Sequence, residues 1–184
     1  MRTRLLAATA ATACIAFALP AHAAAPEISD GKGDSPVAGA DIVSVDFTST
    51  YKVVNREKKT TGYKVKLTLA APPASQVWFI VEVAKSDCPT FEFEYSTNAL
   101  PGGPSGARCA DGINTKYPTA VAPAKVSGST ITWTVPTRIM PAGTVLRKLS
   151  ARTYNFVEVA GTSAGFPEWD DAAAKAGAKF TVGR

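Results

Sequence analysis

Apolar residues recur at every second position in several short runs of this 184-residue chain. In residues 63–69 the side chains of Tyr63, Val65, Leu67 and Leu69 alternate with Lys64, Lys66 and Thr68, so an extended backbone sets them on one face. Residues 77–83 are rich in β-branched and aromatic side chains and apolar on both faces for most of their length, as in a strand covered on both sides. Between them, Pro72 and Pro73 bring no backbone donor and fix φ, which ends both strands and predicts two antiparallel neighbours. Residues 41–48 alternate Val43, Val45 and Phe47 with Ser44 and Asp46. Residues 90–95 alternate aromatic and acidic side chains, predicting a wet face that carries Glu92 and Glu94. Ile131, Trp133 and Val135 share a face of another strand, which follows a hairpin turn around Gly128.

Seven to nine short strands separated by turn residues predict an all-β fold, a two-sheet antiparallel β-sandwich of jelly-roll or Ig-like kind. One short helix is expected near the C-terminus. Residues 166–175 carry proline and acids in the first turn and lysine near the end, with Gly177 beyond. Residues 24–40 are rich in Pro, Gly, Asp and Ser without periodicity and read as a flexible acidic lead-in to a sandwich domain over residues 41–184. Before it, Arg2 and Arg4, an apolar run over residues 5–19 and Ala21-His22-Ala23 predict a secretory signal peptide over residues 1–23. That run is short for a membrane span, so a secreted, extracellular protein with no membrane span is expected.

Removing such a signal changes the available chemistry. The one histidine, His22, goes with it, which excludes Ser-His-Asp triads, histidine zinc sites and histidine bases. Without Arg2 and Arg4 the 20 basic side chains become 18 against 15 acidic, a net charge of about +3. Cys88 and Cys109 remain, and in an oxidising compartment they are expected to form a disulfide worth roughly 3 kcal/mol by loop entropy.

Asp30-Gly31-Lys32-Gly33-Asp34 ahead of residues 41–45, the strand 63–69, the hairpin 126–136 and the terminal Phe180-Thr181-Val182-Gly183 together resemble secreted bacterial β-sandwich domains of the DOMON and family 9 carbohydrate-binding module-like group. The resemblance implies a jelly-roll-like, often non-catalytic sandwich, sometimes holding calcium or sugar. Haem, bound in part of that group, is not expected, since Met140 is the only soft or imidazole ligand in the mature chain.

The residues themselves suggest four sites. Asp30 and Asp34 flank two glycines, and Asp41 or Asp46 completes an oxygen shell suited to calcium, although turn chemistry alone also explains the composition. Trp78 and Trp169 are the tryptophans expected to be exposed for sugar stacking, whereas Trp133 falls in register with core residues. Glu92 and Glu94 have the spacing of a glycosidase pair, but strand alternation explains them as well. Lys52, Arg56, Lys58, Lys59, Lys64 and Lys66 form a basic run that suits anionic wall polymers or simply guards a sheet edge, and no nucleic-acid partner is expected. The expected function is a non-catalytic extracellular binding or interaction module, associated with cell-wall glycan or another exported protein. Its rival is a small secreted hydrolase working through carboxylates or a Ser-Lys pair without histidine.

Overall fold

A computed structural model describes residues 25–97, 106–110, 122–155 and 168–183. The expected signal peptide, residues 98–105 of the glycine-proline stretch and the first two residues of the expected helix lie outside the described residues.

Eleven strands are present among the described residues: β1 (Ile28–Ser29), β2 (Ile42–Val54), β3 (Glu57–Leu69), β4 (Val77–Lys85), β5 (Cys88–Ser96), β6 (Gly106–Cys109), β7 (Ala124–Ser127), β8 (Thr130–Pro136), β9 (Val145–Asn155), β10 (Glu168–Ala173) and β11 (Lys179–Thr181). They form two antiparallel sheets, one in the order β1-β2-β3-β8-β7, the other β10-β9-β4-β5-β6 with β11 also paired to β9. The runs β2-β3-β8-β7 and β10-β9-β4-β5 reproduce the A-B-E-D and G-F-C-C′ orders of an immunoglobulin-like sandwich, so the Ig-like alternative holds and the jelly roll does not. The disulfide is elsewhere than in antibody domains. Cys88–Cys109 joins β5 to β6 within one sheet.

Alternation builds the core as expected. Tyr63, Val65 and Leu67 of β3 and Ile131, Trp133 and Val135 of β8 are all fully buried. They meet the inner face of the other sheet, where Phe93 packs edge-on to Tyr63 and lies 6.2 Å from the Trp133 ring. The Trp133 indole N–H donates to the Glu94 carbonyl at 3.0 Å, satisfying a buried donor across the sandwich.

Four expectations change. First, β3 and β4 are not neighbours but lie in different sheets. The linker between them is pinned across the end of the core, where the Ala70 and Ala74 amides donate to the carbonyls of Asp41 and Gly39. A Cβ at Gly39 would sit 2.5 Å from the Pro72 carbonyl oxygen, so only glycine permits this crossing. Second, the expected C-terminal helix is replaced by strand β10, paired residue by residue with β9. Asp170 and Ala172 are buried while Asp171 and Ala173 are exposed, and the open edge of β9 outweighs local helix signals. Third, the lead-in is partly strand. Ile28 is fully buried, β1 pairs with β2, and the Phe47 amide donates to Glu27 Oε2 at 2.8 Å. Fourth, Glu92 and Glu94 do not lie on a wet face, being 9% and 1% exposed.

Strand directions give the molecule two poles. β8 ends where Pro136 faces Gly62, and β9 begins where Arg147 faces Ala84 at the end of β4. The turns β2–β3 and β4–β5 and the loop β8–β9 therefore share one pole. Asp41 precedes β2 and Asp170 faces Thr153 near the end of β9, which sets both at the other pole.

Candidate functional site

The first pole is basic. A cleft of about 890 Å³ opens between the β4–β5 turn and the β8–β9 loop, lined in part by Arg138, Arg147 and Lys148. A second cleft of about 640 Å³ shares Arg147 and Lys148 and adds Lys175 of the β10–β11 turn and Lys179 at the start of β11. All five cations are exposed. Among the described residues none of the five makes an ion pair. Lys85, also on the cleft wall, pairs with Asp87.

Local structure explains how the two clefts come to share cations. The β4–β9 register shifts between Glu82 and Ala84, and opposite this bulge Lys148 takes a left-handed φ of 50°. A lysine in that region is strained by about 1 kcal/mol or more, and such strain persists where the surrounding pairing enforces it. The bulge sets Arg147 and Lys148 both exposed, where strict alternation would bury one of them.

The basic run read from the sequence divides in two. Lys52, Arg56, Lys58 and Lys59 belong to the tip of the β2–β3 hairpin, closed by Asn55 and Arg56 at positive φ, and Lys58 lies 3.8 Å over the Tyr51 ring. Lys64 and Lys66 are exposed on β3, facing Thr134 and Thr132 of β8. The tip reaches the same pole as the clefts, because the Thr137 amide donates to the Thr61 carbonyl.

The second pole is acidic. Asp30, Asp34 and Asp170 each place a carboxylate oxygen within 4.8 Å of the other two. Asp41 is 2% exposed, and its Oδ2 accepts the Gly33 amide at 2.7 Å. Asp170 Oδ2 accepts the Ile42 amide, joining the two sheets directly. Burial raises the Asp170 pKa to about 6 against the help of that bond, with the charges of Asp34, Asp30 and Asp41 adding. Asp30 is raised by burial and then by Asp34, Asp171 and Asp41, so Asp41 acts on both groups. Asp46 stands apart. It faces Lys66 on β3 and accepts the Thr48 hydroxyl at 2.8 Å.

On the outer face of the six-stranded sheet, Arg108 Nη2 lies 2.9 Å from Glu94 Oε1 and 3.0 Å from Glu92 Oε2. The contact to Glu94 is a hydrogen bond, whereas Glu92 Oε2 is at ion-pair distance without hydrogen-bond alignment. Burial lifts the Glu92 pKa to about 7. A single cation held between two carboxylates that are 9% and 1% exposed closes the pair to a glycosidic bond. Trp78 is half-buried with its ring 6.0 Å from that of Tyr154, and Trp169 packs against the core, so the two tryptophans do not form one platform.

The sequence reading missed Arg138, Arg147, Lys148, Lys175, Lys179 and Asp170 as site residues. The five cations come from three chain segments, and no spacing signals their meeting. Asp170 was visible as an acid, but the helix expectation hid its approach to Asp30. No family model matches the chain, and neither a curated protein nor a solved structure does.

Proposed function

We propose that the protein is a non-catalytic extracellular binding module that holds an anionic polysaccharide at its basic pole. The observation that carries this reading is the convergence on two adjoining clefts of five exposed cations that make no ion pair among the described residues. Exposed, unpaired lysine and arginine heads keep their full capacity for sulfate, carboxylate or phosphate groups, and a concave wall focuses their field. A cleft of several hundred Å³ matches the size of a few sugar units. The hydrolase alternative is weaker, since its best carboxylate pair is closed by Arg108.

Binding of dextran sulfate and of neutral dextran, followed by calorimetry, tests the reading. The triple variant Arg147→Gln, Lys148→Gln, Lys179→Gln is expected to lose about 10- to 100-fold in affinity for the sulfated polymer, at up to about 1 kcal/mol per exposed charge. Lys64→Gln with Lys66→Gln is expected to change it less than twofold. Equal binding of the neutral polymer, or a larger loss in the β3 variant, would sink the proposal.

A further inference from the structure

The acidic pole carries an inference independent of the polysaccharide reading. Of the two Asp30 oxygens, Oδ1 accepts the Gly31 amide, while Oδ2 is sealed from solvent with no hydrogen-bond partner. Asp41 repeats the arrangement, with Oδ2 on the Gly33 amide and Oδ1 sealed and unpartnered. A buried carboxylate oxygen without a donor is costly, and two within one cluster of like charges are more so. Among the described residues no lysine or arginine pairs with Asp30, Asp34, Asp41 or Asp170. A partner that suits neighbouring carboxylate oxygens of this kind is a hard cation, which takes six to eight oxygen ligands from carboxylates, carbonyls and water.

We infer that Asp30, Asp34 and Asp170, with Asp41 beside them, form a binding site for one divalent cation of the calcium class, which staples the segment after β1 to β10. Asp30 and Asp34 come from the segment after β1, Asp41 from the residue just before β2, and Asp170 from the opposite sheet. The ion therefore ties the two sheets together where the Ile42–Asp170 hydrogen bond already joins them. Asp46, included in the set read from the sequence, stands apart on β2, where it faces Lys66 and accepts the Thr48 hydroxyl.

Melting of the full folded chain with calcium chloride or with EDTA, together with calorimetric titration of calcium, tests this. Calcium at a hundredfold excess over its Kd is expected to raise Tm by about 5–10 °C, with one ion bound. Asp34→Asn, at an exposed position, is expected to abolish most of that rise, as is Asp170→Asn, whose amide oxygen still accepts the Ile42 amide. In EDTA both variants are expected to melt no lower than the wild type, because each removes a like charge. Asp46→Asn is expected to keep the whole rise. A wild type indifferent to calcium, or an Asp34→Asn variant that keeps the full rise, overturns the inference.

Discussion

Replacing Glu92 by Gln probes the largely buried carboxylates on the outer face of the second sheet. The Glu92 pKa is lifted from the ordinary 4.5 to about 7, chiefly by burial, with Arg108 opposing and the Glu94 and Glu82 charges adding. A folded pKa above the unfolded one means that the native state keeps a proton the unfolded chain releases. The resulting stability is complete below about pH 4.5 and is lost as the pH rises through about 7. A gap of about 2.5 pH units at about 1.4 kcal/mol each sets an upper bound of about 3.5 kcal/mol. Water reaches part of the carboxyl and Arg108 compensates, which brings the expected contribution to about 1–2 kcal/mol. Glutamine has the same shape and offers Glu94 an N–H where the protonated acid offers an O–H. The variant should match the wild type within about 0.5 kcal/mol at pH 4.5 and exceed it by about 1–2 kcal/mol at pH 8. Urea unfolding followed by tryptophan fluorescence at pH 4.5, 6 and 8, at fixed ionic strength and fixed calcium, reads the difference. A variant less stable than the wild type at pH 8 would refute the reasoning, because it would mean that ionised Glu92 is a productive partner of Arg108.

Three further outcomes follow from the packing. Changing both Cys88 and Cys109 to Ser removes a bond between neighbouring strands and should lower urea-unfolding stability by about 3 kcal/mol. Gly62→Ala brings a Cβ to 2.1 Å from the Val135 carbonyl oxygen and should cost about 3 kcal/mol by the same assay, since the obstacle is backbone of β8. Lys148→Gly relieves a left-handed lysine and should raise stability by up to about 1 kcal/mol while weakening binding to dextran sulfate, a separation that thermal melting and calorimetry together resolve.

Alternation was a sound guide wherever a strand buries one face. Residues 63–69 and 131–135 take the faces their pattern demands, and Trp133 is core as expected. Pairing was less legible. Two prolines between β3 and β4 mark a break, yet a break looks the same in sequence whether the chain turns back beside itself or crosses to the other sheet. The segment around Asp170 carries good helix signals, and only the open edge of β9 makes it a strand. Bulges are the other blind spot. The shift between Ile42 and Ser44 buries Ile42 and Val45 and leaves Val43 half-buried, and the one opposite Lys148 exposes adjacent cations. At the acidic pole, proximity in sequence brought Asp30 and Asp34 into one set, whereas Asp170, the third carboxylate of their cluster, comes from 136 residues beyond Asp34, on the other sheet.

The central claim is that the basic pole is the ligand site, and the most direct measurement is a titration of ¹⁵N-labelled protein with a sulfated oligosaccharide, followed by amide chemical shifts. The account predicts saturable shifts concentrated at Arg138, Arg147, Lys148 and Lys179, fading as salt is added. Shifts centred on Lys64, Lys66 and Trp78 instead, or no saturable shift at low salt, would contradict it.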